Sequence, residues 1–321
     1  MRNEANPLVY IIILNWNNYT DTHKCLESID TLDYLNRVAV VVDNGSTDGS
    51  IEELSKRRDI TLIQNKKNMG YSGGNNIGIK LAIAQGADYF WLLNSDAIVT
   101  SDCLTKLVDV AQSDNQIGLV SPIIRFASDS RRIQFCGSEY LNQDNTFSIN
   151  LLELDDAKKL QENAPERMML WGTALLVSRC MVQDIGFLDE GLFAYFEDTD
   201  YSIRSVAANY KNKMCFEASI IHDSPIEKGQ RKAHYYYYMR RNYVLTVKRH
   251  VRPFKRMLKL LYWDYVQVRN TVNPKSPENV NAELAGLWHG WLGITGPYNP
   301  KSRMPKYIRH LMFRLGTRDT Q

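Results

Sequence analysis

Disulfide and zinc patterns are missing from this chain. Its five cysteines, at 25, 103, 136, 180 and 215, are odd in number and form no C-x-x-C pair. Reduced thiols in a cytosolic protein are expected instead. No apolar run approaches the roughly 18 to 20 uncharged residues of a transmembrane helix. The segment Met1–Pro7 is polar and the apolar run after it stops at Asn15-Trp16-Asn17-Asn18, so no secretory signal is expected. Internal repeats are absent, and low complexity is confined to Tyr235–Tyr238. The sequence also lacks a Walker phosphate loop and a G-x-G-x-x-G placed directly after a strand.

What is present suffices for a large fold. The 321 residues, 44% of them hydrophobic, can build one large core or a core with an appended module. Charge is unevenly spread: from Tyr235 onward 16 Lys and Arg face 4 Asp and Glu, a net +12, against −9 for the remainder. A near-acidic body with a basic tail implies different partners for the two parts. The division expected is a catalytic domain over 1–234 and a helical, basic and aromatic extension over 235–321.

The first third alternates between strand and helix patterns. Val9–Leu14, Val38–Val42, Thr61–Ile63 and Tyr89–Leu93 are apolar runs of buried-strand type. Helices are expected over Asp21–Ile29, from the capping box Ser50-x-x-Glu53 to Arg58, over Asn75–Gln85 with Gly86 as C-cap, and over Asp102–Gln112. Such alternation predicts an α/β fold with a mostly parallel central sheet covered by helices. The polar stretch Asn142–Pro165 reads as a surface excursion, and Met168–Val177 as a strand with a glycine inside it.

Chemistry concentrates at a few stations. Asp43 ends a buried strand and opens the turn Asn44-Gly45-Ser46-Thr47-Asp48. It is either a turn former or a carboxylate accepting the imide N–H of uracil or thymine. The run Asn68-x-Gly70-Tyr71-Ser72-Gly73-Gly74-Asn75-Asn76-x-Gly78 has enough glycines and amides for close backbone approach to a ligand at a helix start. Asn94-Ser95-Asp96 follows the fourth strand, where open α/β sheets place ligand chemistry. Glu197-Asp198 follows an aromatic run; it is either the acidic entry to a helix, with Asp200 and Arg204 an i,i+4 pair, or a catalytic carboxylate pair. His222, after Ser219-Ile220-Ile221, is either a structural histidine or a metal ligand.

Taken in order, these marks resemble the family 2 glycosyltransferases of the GT-A fold, in the bacterial rhamnosyltransferase-like branch of surface polysaccharide assembly. The matching segments are Leu14-Asn15-Trp16-Asn17, Val41 to Ser50, the Asn68–Gly78 run, Leu93-Asn94-Ser95-Asp96, Trp171-Gly172-Thr173, Phe196-Glu197-Asp198-x-Asp200-x-x-x-Arg204 and His222. The resemblance implies donor binding by Asn15, Asp43, Asn68, Gly70, Gly73, Asn75, Asn94, Ser95 and Asp96. It implies Asp198 as base with Glu197 beside it, an acceptor side lined by Trp171 and Gly172, and Mn²⁺ or Mg²⁺ on Asp96 and His222. One departure is that Asn94 stands where a full D-x-D motif has its first carboxylate.

The implied reaction is inverting, metal-dependent transfer of rhamnose from dTDP-rhamnose, or of a sugar from a UDP-sugar, to a lipid-linked saccharide. A sugar-nucleotide nucleotidylyltransferase would carry a Gly-rich basic signature where Asn15-Trp16-Asn17-Asn18 stands. A non-catalytic nucleotide-sugar-binding or scaffold protein is the alternative of another class. From Val244 to Leu261 apolar residues interleave with lysines and arginines around Pro253. This basic amphipathic segment either packs on the body or lies on an anionic membrane, at the inner face of the cell membrane; no nucleic-acid motif accompanies it. Arg240 or Arg241 is a candidate phosphate contact.

Overall fold

The computed structural model of the chain describes residues 6–143, 146–223, 231–271 and 276–314. In chain order it begins β1 (Val9–Asn15), α1 (Tyr19–Asp30), β2 (Arg37–Asp43), α2 (Ser50–Leu54), β3 (Ile60–Gln64), α3 (Gly70–Ala84) and β4 (Tyr89–Asn94). Then follow β5 (Ala97–Val99), α4 (Cys103–Gln112), β6 (Ile117–Phe126), β7 (Ile133–Phe135), β8 (Ser138–Gln143), β9 (Thr146–Asn150) and α5 (Leu154–Asn163). β10 (Met168–Met169), β11 (Ala174–Ser178), α6 (Arg179–Ile185), α7 (Glu197–Ala207) and β12 (Lys211–His222) complete the α/β part. Helices α8 (Ala233–His250), α9 (Phe254–Thr271), α10 (Pro277–Leu292) and α11 (Lys306–Arg314) end the chain.

Two compact units result. One gathers the described residues of Met1–Leu141, Ser148–Phe193 and Glu197–Ser224, the other those of Asn142–Phe147, Ala194–Phe196 and Pro225–Gln321. The composition change at 234/235 falls inside α8.

The first unit is a mixed sheet in the order β3-β2-β1-β4-β11-β6-β12-β5, with β7 paired to β6. Strands β3, β2, β1 and β4 are mutually parallel, because their runs are apolar on both faces and helices cover them. β1 lies between β2 and β4, so strand order reverses there, the switch point at which such sheets bind ligands. The register sets Asn15 opposite Asp43 and Leu14 opposite Asn94, which brings three strand ends level. β11 enters antiparallel to β4, with Ala174 opposite Leu93, so Thr173 lies level with Asn94 and residues 171–172 beyond the carboxyl end of β4. β12 pairs with β5 so that His222 stands opposite Ala97, one residue after Asp96.

Four expectations about elements change. Helix α2 ends at Leu54, not Arg58, and its N-cap is Gly49, so the Ser50–Glu53 capping box does not form. Helix α3 starts at Gly70, not Asn75, so most of the glycine-rich run is helix. Two of its glycines face β1: a Cβ on Gly74 would lie 2.2 Å from Leu14 Cδ1, and one on Gly78 2.5 Å from Ile12 Cγ2. Close packing, not loop flexibility, accounts for them. The run Met168–Val177 is two strands broken by a turn at Trp171-Gly172-Thr173. The polar excursion contains α5, whose only buried residues are Ala157 and Leu160, too sparse a stripe to read from composition.

In the second unit α8, α9 and α10 share a core of Val244, Val268, Val280, Leu284 and Leu287. α10 is well delimited: Ser276 accepts from Asn279 N–H, Pro277 opens it, and Gly293 ends it in a left-handed conformation. Arg240 of α8 binds Glu283 of α10 at 2.7 Å and also Asp264 of α9. Arg241 is fully buried, over the rings of Tyr237 and Tyr238, and donates to Asn242 Oδ1. Asn242 in turn donates to the carbonyls of Ala194 and Tyr195. The phosphate contact expected of Arg240 or Arg241 is therefore corrected: the Arg240 guanidinium joins three helices, and that of Arg241 is buried on Asn242 and the Gly296 carbonyl.

Candidate active site

Asp43 ends β2 fully buried. Its Oδ1 accepts from Gly45 and Ser46 N–H at 3.1 and 2.9 Å, and its Oδ2 from Asn15 Nδ2 at 2.7 Å. Thr22 on α1 donates to Asn15 Oδ1, which fixes the direction of that amide. Asn44, which the sequence reading passed over, ties this turn to the next loop. Its Nδ2 donates to Asn68 Oδ1 and Gly70 O, while its Oδ1 accepts from Met69 N–H. Asn75 is buried and donates to Tyr71 O, and Gly73 faces Met69, so these two lie inside the helix packing.

The second station is Asn94-Ser95-Asp96 at the end of β4, all three half-exposed. Asp96 Oδ1 lies 3.2 Å from His222 Nε2. His222 is 8% exposed, and its Nδ1 meets Gln134 Oε1 of β7 at 3.0 Å. With Nδ1–H donating to that oxygen, Nε2 turns a lone pair towards the Asp96 carboxylate. Two acceptors so placed suit a shared cation. Among the described residues no group of three His, Cys, Asp or Glu side chains is gathered for a metal. Asp96 and His222 are an oxygen and a nitrogen donor, a set compatible with Mn²⁺ or Mg²⁺, which are commonly held by few protein ligands alongside substrate phosphates.

The third station opens α7. Asp198 Oδ2 accepts Gly172 N–H at 2.9 Å, and Oδ1 accepts Thr199 N–H at 2.7 Å and the Thr199 hydroxyl at 3.3 Å. Burial raises Asp198 above the usual carboxylate range against the pull of these bonds. Burial and then the Asp198 charge push Glu197 well above that range, and its Oε2 has no hydrogen-bond partner among the described residues. The approach to α7 is strained: Phe193, Tyr195 and Phe196 have φ of 66°, 68° and 70°, in the left-handed region that bulky residues avoid. Arg204 binds Asp200 and the carbonyls of Ile185 and Phe187, a structural duty.

One short turn connects the second and third stations. Thr173 O accepts Asn94 N–H at 2.9 Å, and the adjacent Gly172 supplies the N–H on Asp198. Trp171, in the same turn, stacks on Phe135 with centroids 4.3 Å apart. β7 thus supports both stations, Gln134 orienting His222 and Phe135 seating Trp171. No local signal marks Gln134, because its role depends on a pairing 88 residues distant.

The profile of glycosyl transferase family 2 matches residues 10–180, which span β1 to α6 and hold the first two stations. The chain belongs to that family. It is 26% identical over 232 residues to the low-salt glycan biosynthesis hexosyltransferase Agl10 of Haloferax volcanii, covering 71% of each chain. It is 22% identical over 258 residues to the dTDP-rhamnosyl transferase RfbF of Shigella flexneri, covering 77% of this chain and 82% of that one. A mannosyltransferase from Pyrobaculum calidifontis, solved with GDP-mannose and Mn²⁺, superposes with a TM-score of 0.57 at 15% identity, covering 98% of this chain and 82% of the other. The fold of this family 2 glycosyltransferase is GT-A, and its activity is glycosyl transfer.

Proposed function

We propose that this glycosyltransferase inverts the sugar it transfers, takes it from dTDP-rhamnose or a UDP-sugar, requires Mn²⁺ or Mg²⁺, and delivers it to a lipid-linked saccharide at the inner face of a membrane. The observation that carries the reading is the Trp171–Thr173 turn, bonded to Asn94 through Thr173 and to Asp198 through Gly172. Donor and acceptor chemistry then meet across one loop. Asp198 takes the proton from the acceptor hydroxyl, a contribution of typically 10²–10⁴-fold. Burial makes Asp198 a stronger base than a free carboxylate, and its charge helps hold the neighbouring Glu197 neutral. A single base implies one displacement with inversion. Asp96 and His222 would hold the cation, which supplies charge stabilisation to the departing diphosphate.

The rhamnosyl donor is favoured by the likeness to RfbF, named as a dTDP-rhamnosyl transferase. Among the described residues no helix is long and apolar enough to cross a membrane. Surface contact is supported by the exposed face of α9, where Phe254, Leu258 and Tyr262 alternate with Lys255 and Lys259.

The test is release of nucleoside diphosphate from UDP-, dTDP- and GDP-sugars with Mn²⁺, Mg²⁺ or EDTA. Metal-dependent hydrolysis of a dTDP- or UDP-sugar is expected, reduced at least 100-fold in Asp198→Asn with donor binding kept. Equal release by Asp198→Asn would overturn the base assignment. A chain that binds donor and never transfers, whatever lipid-linked acceptor is offered, would be the scaffold of the alternative reading.

A further inference from the structure

Tyr71 stands where the glycine-rich run meets the base, and nothing in the mechanism so far uses it. Its hydroxyl donates to Gly172 O at 2.5 Å across 101 residues of sequence. The same Gly172 gives its N–H to Asp198 Oδ2 at 2.9 Å. One residue is thus gripped on its carbonyl side by α3 while its amide side orients the carboxylate. We propose that Tyr71 is a positioning residue for the base, its hydroxyl fixing Gly172 in the place from which Gly172 N–H sets the plane of the Asp198 carboxylate. The proposal rests on the reading of Asp198 as base.

Several features make the grip specific. Tyr71 lies in the first turn of α3, and its own carbonyl is held by Asn75 Nδ2 at 3.0 Å. Gly70 before it has a φ of 77°, and a Cβ there would stand 2.4 Å from Phe193 O. Ser72 N–H after it donates to that same Phe193 carbonyl at 3.3 Å. The helix start is therefore docked on the segment leading to α7, and the phenol reaches from that platform to the turn. Gly172 leaves no slack, since a Cβ would come 3.0 Å from the Tyr71 hydroxyl oxygen. With Oδ2 held by Gly172 and Oδ1 by Thr199, both carboxylate oxygens have fixed partners. Burial, then Glu197 and Asp198, push the phenol well above its ordinary value, so it stays a neutral donor. The titratable neighbours are Glu197 and Asp200 on α7 and Tyr71 on α3, and Asp200 is neutralised by Arg204.

Tyr71→Phe keeps the ring and removes the donor. Gly172 O then loses its partner, the turn relaxes, and the N–H on Asp198 weakens. A bond to the charged form holds a carboxyl's titration down, so its loss raises that titration, here by about one pH unit. The experiment is a ¹³C-carboxyl NMR titration of the full chain, with Asp198 assigned by the signal missing in Asp198→Asn. Wild type, Tyr71→Phe and Gly172→Ala are compared. Both variants should titrate higher than wild type while the circular dichroism spectrum is unchanged. A Tyr71→Phe midpoint equal to wild type would overturn the proposal; if that variant does not fold, Gly172→Ala decides by the same reading. The two ideas fail separately. Asp198→Asn that still releases nucleoside diphosphate sinks the base, whereas an inactive Asp198→Asn beside an unshifted Tyr71→Phe sinks only the positioning role.

Discussion

Gly78 shows how a residue chosen for packing can look like one chosen for binding. Ile12 is fully buried in the central strand, and its Cγ2 occupies the space a Gly78 side chain would need. A β-branched side chain has little rotamer freedom with which to move away. Gly78→Ala should therefore cost about 1–3 kcal/mol in denaturant unfolding, despite the better helix propensity of alanine. Combining it with Ile12→Ala should cost less than the two changes summed, because that change removes the Cγ2. Additivity would contradict the clash. The sequence revealed that these glycines needed proximity to something, yet not to what. Asp43, Asp96 and Asp198 could be singled out because each ends or follows a strand or an aromatic run, where the proposed reading puts donor, cation and base. Tyr71 and Gln134 were not, since a phenol or an amide has no meaning until the fold shows its partner.

At the scale of elements, the strands were legible and the breaks were not. Continuous apolar runs fix β1, β2 and β4, whereas the turn at 171–173 hides inside one apolar run because Trp171 also packs. In the helical unit, the Arg240, Asp264 and Glu283 side chains join α8, α9 and α10, an arrangement concealed by spacings of 24 and 43 residues. Burial pushes Asp264 up to about 6 even though Arg240 opposes it. The unfolded carboxyl titrates near 3.9. Between these values the folded chain binds the proton more tightly, so stability falls as pH rises from about 4 to about 6 and does not return above that. The loss should be about 2 kcal/mol, read as the difference in urea unfolding between pH 4 and pH 7. Asp264→Asn should remove that part of the difference, and an unaltered pH dependence would show that Asp264 does not titrate there. At the head of α7 the same direction holds for Glu197 and Asp198, so on the proposed base assignment the acidic limb of transfer should lie above the usual carboxylate range.

For the whole molecule, charge is the property that sequence conveys most directly. Within the +12 of the residues from Tyr235 onward, α9 exposes Phe254, Lys255, Leu258, Lys259, Tyr262 and Trp263 and no acidic residue. Such a face should bind vesicles containing phosphatidylglycerol more tightly than phosphatidylcholine alone, and release them as salt rises. Replacing Phe254, Leu258 and Tyr262 together by serine should lower co-sedimentation by about tenfold, since each apolar insertion adds to the electrostatic attraction. Equal binding of the triple variant would assign the attraction to charge alone. Which sugar is moved was not legible, because a nucleotide-sugar pocket selects by shape that residue identities do not convey.

The distribution of sulfur has a practical consequence. Cys25, Cys103, Cys136 and Cys215 are buried, and Cys180 alone of the five is exposed. It sits on α6 just after Ser178, which pairs with Tyr89 at the amino end of β4, whereas the proposed site lies at the carboxyl end. A maleimide dye or spin label added to the native chain would thus attach at one known point on the far edge of the sheet. Binding, diffusion and tumbling could be followed optically on unmutated protein, with the reporter clear of the sugar.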